Sequence, residues 1–281
     1  MVKHKNEHYF YSQFIPLALT VVIFIVFSLF LHGFIGVLNT FTSTDIKLTL
    51  RLTDVMIGLT IYLKTSVDFA IYIGNLMKKF PGWKNRIPIE IGTALGNALG
   101  TIIVLTIWNF FRDVEIVLII MIFIASLVLI KLSEDGFEHA FASNRVHPLL
   151  VKISTIIYRV IHRINNFFAP VVGKVIPTIS FSDEKVQNDI RALFVFSFTV
   201  PFILGLDDFA GYVPLFNIVN VFGFAVGVFA GHMILNALLF LAPTKTIKAV
   251  SNPYIALAGG YVFILLALIG FNEIAHLLHL Y

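Results

Sequence analysis

The sequence predicts an all-α polytopic membrane protein with seven transmembrane helices, arranged as an inverted 3+3 helix repeat plus an extra N-terminal helix. Three observations predict this. The 281 residues are 58% apolar and only 13% charged, against about 25% charged in soluble domains. The apolar residues gather into seven runs, each close to the length of ~18 or more residues that crosses a bilayer as a helix. A short acidic motif followed by a glycine ladder occurs twice.

The first run, residues 14–38, has the length of a full span and lacks a small-residue cleavage pattern, so it reads as a retained helix and not as a signal peptide. The second to fourth runs cover 52–76, 87–110 and 114–132, and the fifth to seventh cover 192–216, 219–241 and 254–271. Barrel strands would alternate apolar and polar over about 10 residues, which these runs do not. Helices satisfy their own backbone groups in hydrocarbon and are the remaining choice.

Lysine and arginine set the orientation. With the N-terminus inside, sixteen of the twenty lie in cytoplasmic connections, three (Lys47, Arg51 and Arg112) lie outside, and Lys64 falls within a span. This positive-inside asymmetry predicts N-in and C-out, in what is expected to be a prokaryotic cytoplasmic membrane. The chain divides into an N-terminal helix (1–45), a first repeat (46–132), a cytoplasmic linker (133–190) and a second repeat (191–281). In the linker, residues 146–168 carry Lys152, Thr155, Arg159, His162, Arg163 and Asn166 on one helical face. Leu150, Ile153, Ile157, Val160, Ile161, Ile164 and Phe168 line the other. Such a helix lies on an anionic leaflet or packs on the bundle. Pro170, Pro177 and residues 180–183 predict an irregular link into the fifth span.

The repeat is read from Asp68-Phe69-Ala70-Ile71-Tyr72 and Asp208-Phe209-Ala210-Gly211-Tyr212, each seventeenth-residue aspartate sitting inside its 25-residue run. The following span carries Gly92, Gly96 and Gly100 in one copy and Gly223, Gly227 and Gly231 in the other. Glycines four apart let a second helix backbone approach closely. One more span follows each ladder, and units of three helices must face opposite ways across the membrane. Inverted repeats place a transporter's substrate site near the midplane where the repeats meet.

An ionised carboxylate in hydrocarbon is costly and marks a functional site by default. Converging carboxylates raise one another's pKa, so they hold either a cation or protons. Asp68 and Asp208 are the expected metal ligands and proton acceptors. Asp207 ranks lower, because the other copy has Val67 in its place and neighbours on a helix point about 100° apart. Thr65 and Ser66 add hydroxyls within a turn. Lys64 either neutralises Asp68 as an i,i+4 pair or serves as a counter-ion when the cation is absent. Asp54, about 21 Å outward along the same helix, marks the exit vestibule or the membrane interface. Glu90, beside Pro88, guards the cytoplasmic entrance or caps its helix. Asn97, His232 and Asn236 face the bundle interior, on the pathway or in helix–helix hydrogen bonds. Glu273, His276 and His279 have metal-compatible spacing or are interfacial, and the cytoplasmic Glu134, Asp135, Glu138 and His139 read as a loading or sensing patch.

With no cysteine, thiolate ligation and disulfides are excluded. No H-E-x-x-H, G-x-S-x-G or phosphate-binding glycine loop is present, so no enzyme activity is expected. The Asp-centred motifs Ser66-Val67-Asp68 and Leu206-Asp207-Asp208, within residues 52–271, resemble those of the lysine-exporter superfamily. That group takes in lysine and homoserine exporters, cadmium-resistance transporters, TerC-like proteins and manganese/calcium exchangers. The Glu-x-Gly-Asp-Lys/Arg-Thr/Ser signature of the exchangers is absent, and the first helix is additional. The resemblance implies two inverted three-helix units and an exporter.

The expected function is export of a divalent metal cation in exchange for protons. The alternatives are export of a cationic or zwitterionic small molecule such as an amino acid, with Lys64 holding a carboxylate, and a non-transporting scaffold. Expected partners are membrane lipid, the transported cation and protons, and a second copy of the chain as a homodimer. Nucleic acid is not expected, nor is a cofactor beyond the divalent cation as substrate.

Overall fold

A backbone surrounded by hydrocarbon has no partner but itself, and the computed structural model of the chain is all-helical. It describes the chain except residues 1, 144, 176–189, 211–212, 217–218 and 280–281, and leaves out in addition the side chains of 2–13, 68, 171–175 and 203–210. Among the described residues the helices are α1 (Val2–Asn39), α2 (Leu52–Thr65), α3 (Val67–Lys79), α4 (Trp83–Phe111) and α5 (Glu115–Phe141). They continue with α6 (Pro148–Val175), α7 (Ile190–Ala210), α8 (Val221–Leu241), α9 (Pro243–Val250) and α10 (Pro253–Leu277). Five of them, α1, α4, α5, α8 and α10, are long and apolar enough to cross a membrane, and α2 with α3 makes a sixth span bent by 66°. This is the make-up of a polytopic membrane protein.

Several boundaries depart from the sequence reading. The second run is broken at Ser66 and is not one straight helix. The fifth run is helical to Ala210 and is followed by a 3₁₀ turn at Val213–Leu215, where Pro214 cannot donate to a helical ladder. Helix α5 runs on past 132 to Phe141, because Lys131 reaches Glu134 at 3.1 Å and Asp135 at 2.8 Å and supports the extra turns. Helix α6 passes through Pro170 to Val175 where a link was expected. The short α9, between the last two spans, was not anticipated. Pro253 starts α10 at the first helical position, and the Asn252 carboxamide oxygen accepts from Tyr254 N at 2.9 Å as its cap.

The glycine ladders decide which helices touch. A methyl at Gly92 would stand 2.8 Å from Phe194 O, and one at Gly96 would run into Phe198 O, so α4 and α7 meet backbone to backbone. In the other ladder Gly227 lies on Val55 O and Gly231 near Leu59 O, while Gly58 of α2 returns the contact on Phe224 O. Helix α8 therefore packs on α2 as α4 packs on α7. The third close pair is α5 with α10, where Gly136 admits Ala256 O and Ser133 Oγ donates to Gly260 O at 2.9 Å. Close van der Waals approach is what holds helices together where no hydrophobic difference between lipid and side chain exists.

Helix α8 is the most enclosed, touching α1, α2, α3, α4 and α9. Helix α1 lies outside, against α4 and α8, with Val22, Ile25, Leu29 and Phe30 exposed. The loop after it is closed by Asn39, which exchanges two hydrogen bonds with Ile46.

Candidate functional site

The break in the second span lies at Ser66, with no Pro or Gly at it. Tyr62 O accepts from Ser66 N at 3.0 Å and from Thr65 Oγ1 at 3.1 Å, and Ser66 then turns to ψ 31°. The ladder resumes with Ala70 N donating to Ser66 O at 2.9 Å, in a helix pointing 66° away. Helix α2 is 14 residues long, so the break lies about 20 Å from its N-terminal end.

Asp68 is the second residue of α3, and Asp207 and Asp208 lie near the end of α7. The side chains of all three lie outside the described residues. The break falls between Lys64, in the last turn of α2, and Asp68, in the first turn of α3. The Lys64 stem lies along Gly259 of α10. Its ammonium is buried without a hydrogen-bond partner, and so is the hydroxyl of Ser66, which is 2% exposed. Polar atoms left unpaired in a low-dielectric interior cost about 1–3 kcal/mol each.

Facing the break, α8 contributes His232, which is fully buried. Tyr62 Oη lies 2.6 Å from His232 Nδ1, one turn before Ser66, and the Phe69 ring, one residue past Asp68, lies 5.0 Å from the imidazole. On the other side Asn236 Nδ2 is 3.2 Å from His232 Nε2 and donates to Thr93 Oγ1 at 2.9 Å. Thr93 in turn donates to Glu90 O at 3.0 Å. An amide donor at Nε2 puts the proton of the neutral ring on Nδ1, where it donates to the tyrosine oxygen. Asn236 Oδ1 is left without a partner. A continuous polar chain thus joins the break in α2–α3 to the Glu90 level of α4.

Glu90 is 2% exposed and accepts from Thr20 Oγ1 of α1 at 2.8 Å. Helix α4 starts at Trp83, so Glu90 is two turns inside it and does not cap it. Asn97 is buried one turn beyond Thr93. Asp54 is also buried, in the first turn of α2, with its Cβ against Gly223. The structure does not bring it to the break. Tyr62, Thr93 and Thr20 were missed in the sequence. The available signal was the row Glu90, Thr93, Asn97 and Thr101, spaced three and four apart on one face of α4.

A second polar group joins α5 to α6. Glu134 Oε1 lies 2.6 Å from His162 Nδ1, and its Oε2 accepts from Asn165 at 2.7 Å and Lys131 at 3.1 Å. Tyr158 donates to Glu138 at 2.9 Å, and His139 pairs with Ser251 O. Ligand atoms of Glu134, Glu138 and His162 come within 4.8 Å of one another. Each is already engaged in a hydrogen bond, so the group acts as a clamp between helices. Among the described residues Glu273, His276 and His279 form no such group. Compared with models of known protein families, with curated proteins and with solved structures, the chain matches none.

Proposed function

We propose that the protein is a secondary transporter that exports a divalent metal cation in exchange for protons, from a site at the break between α2 and α3. The carrying observation is the break itself: an apolar helix pair bent by 66° and flanked by buried polar atoms with no partner. Non-helical backbone at membrane depth is tolerated where it lines a cavity or a binding site. Asp68 and Asp208 are the principal ligands and proton acceptors, assisted by Asp207, Thr65 and Ser66. The helices that carry the two motifs, α3 and α7, touch.

The packing supports an inverted 3+3 architecture of seven spans. Exchanging the second span with the fifth, the third with the sixth and the fourth with the seventh turns the α2·α8 contact into α7·α4 and leaves α5·α10 unchanged. The carbonyls met by the ladders also correspond. With Asp68 placed on Asp208, residues 55 and 59 fall on 195 and 199, one residue from 194 and 198. This register equates Gly92 with Gly227 and Gly96 with Gly231, one rung away from simple counting along the ladders.

A second reading is favoured by Lys64. An unpaired ammonium beside Ser66 and the N-terminus of α3 suits a carboxylate, so a zwitterionic cargo would use both signs of charge at the break. Reconstitution in liposomes with a pH gradient tests both, using manganese, calcium, cadmium, lysine and the diamine made by decarboxylating lysine. Metal flux lost in Asp68→Asn and Asp208→Asn supports the first reading. Lysine flux that exceeds diamine flux and needs Lys64 supports the second. Flux unchanged in both aspartate variants would sink the shared site, and no flux of any solute by folded protein leaves the scaffold.

A further inference from the structure

Helix α6 has three faces where an amphipathic helix has two. At 100° per residue, Ser154, Tyr158, Ile161 and Asn165 fall on one side. That side packs on the bundle, with Ser154 Oγ 2.7 Å from Tyr261 Oη of α10 and Asn165 bonded to Glu134 of α5. Lys152, Arg159 and Arg163 form an exposed row on the opposite side. Between them runs a stripe of Leu149, Ile153, Ile156, Val160 and Phe167, all exposed, Ile156 by 65% and Phe167 by 77%. The sequence reading had assigned Ile153 and Val160 to the same face as Ile161; the structure splits that face in two.

We propose that this stripe and the basic row dock on an anionic phospholipid surface. The stripe borders the bundle-facing side, where lipid meets the protein, and the cations border the stripe, where headgroups lie. The helix carries no acidic residue that would oppose an anionic leaflet. Its roll is fixed: the bonds from His162 and Asn165 to Glu134, and from Tyr158 to Glu138, hold the stripe turned away from the bundle. Interfacial helices bind by apolar burial together with attraction of Lys and Arg to anionic lipid. A second copy of the chain or a soluble partner would cover the stripe without requiring the cations.

The chain has no cysteine, so Ile156→Cys carries a polarity-sensitive fluorophore at a single place in the full-length protein. The labelled protein is placed in nanodiscs of phosphatidylcholine alone or with added phosphatidylglycerol. The expected result is a blue-shifted, brighter emission with the anionic lipid, quenched by nitroxide-bearing lipid and reversed by high salt. Replacing Lys152, Arg159 and Arg163 by Gln should abolish the dependence on phosphatidylglycerol, and circular dichroism of the same sample checks that helix content is kept. Emission insensitive to lipid charge and untouched by lipid-borne quencher would overturn the proposal. So would a shift that follows protein concentration in detergent, which marks a second copy as the occupant.

Discussion

Two buried polar groups in this molecule use similar residues and end up differently. Between α5 and α6, Glu134 meets a lysine, a histidine and an asparagine, and both its oxygens are used. Between α2, α4 and α8, Tyr62, His232, Asn236 and Thr93 are linked in a chain that leaves Asn236 Oδ1 idle, near a break with unpaired Ser66 and Lys64. A carboxylate with both oxygens bonded stabilises in proportion to those bonds. An incomplete group costs stability, and it persists where the missing partner is a transient one. Each group leaves one asparagine oxygen idle, Asn165 Oδ1 and Asn236 Oδ1, so the contrast rests on the unpartnered Ser66 and Lys64 against a carboxylate with both oxygens bonded.

The largest expected effect comes from destroying the frame of the inner group. Gly227→Leu drives a side chain into Val55 O, a backbone atom that cannot swing aside. Overpacking usually costs about 1–3 kcal/mol, and a rigid neighbour raises that. Loss of the α2·α8 contact should appear as aggregation or a broad peak in size-exclusion chromatography. A monodisperse, fully stable variant would show that the ladder does not hold these helices together.

Next comes the clamp. Glu134→Ala removes the shared partner of Asn165, His162 and Lys131, while Lys131 keeps Asp135 at 2.8 Å. Removing one partner of a buried ion pair costs about 3–5 kcal/mol, and the partial exposure of Lys131 and His162 lowers the expectation to about 2–3 kcal/mol. Thermal melts in detergent check this, and α6 should become sensitive to proteolysis before the bundle does. Any flux per folded molecule should be retained, because the clamp is not on the proposed pathway.

These two groups were unequally legible in the sequence. That the chain is a polytopic membrane protein follows from apolar run length, a bulk property that needs no neighbours. The ladders likewise announced close approach, since Gly92, Gly96, Gly227 and Gly231 lack side chains wherever they point. The break at Ser66 was hidden because no Pro or Gly marks it; the Thr65 hydroxyl shares Tyr62 O with the Ser66 backbone N–H instead. Tyr62 and Thr93 were hidden for another reason. Their roles depend on His232 and Asn236, more than a hundred residues away, and a residue that matters through a remote partner leaves no local pattern. His162 escaped in the same way: on the helix it reads as one more polar residue, and only the packing of α6 on α5 brings it to Glu134.

A smaller change sharpens the comparison. Tyr62→Phe removes one hydrogen bond to His232 and keeps the ring that packs edge-on at 5.6 Å. The stability cost should be about 1 kcal/mol, well below that of Glu134→Ala. If the incomplete group is the working one, flux in the liposome assay should fall by more than the melting temperature suggests, with a changed dependence on pH. A variant that melts slightly lower and transports normally would make the inner chain a mere helix–helix contact.

The smallest effect belongs to a third polar group, on the expected outer face. The exposed Asp113 accepts from Ser43 Oγ at 2.6 Å and from Thr44 Oγ1 at 2.9 Å. Those two hydrogen bonds, with Arg112 adding to them, hold its carboxyl below the ordinary range. A depressed carboxyl contributes stability that is fully present above the ordinary aspartate value of about 3.9 and is lost as pH falls through the lower folded value. Asp113→Asn should therefore melt slightly below wild type at pH 7, and the gap should close on acidification below about pH 4. A gap that stays constant down to the lowest pH would mean that the Asn side chain differs from Asp in shape or loop preference and that charge plays no part. Full saturation combined with full exposure makes this group the weakest of the three, which places solvent access beside hydrogen-bond completeness in deciding what a polar group contributes.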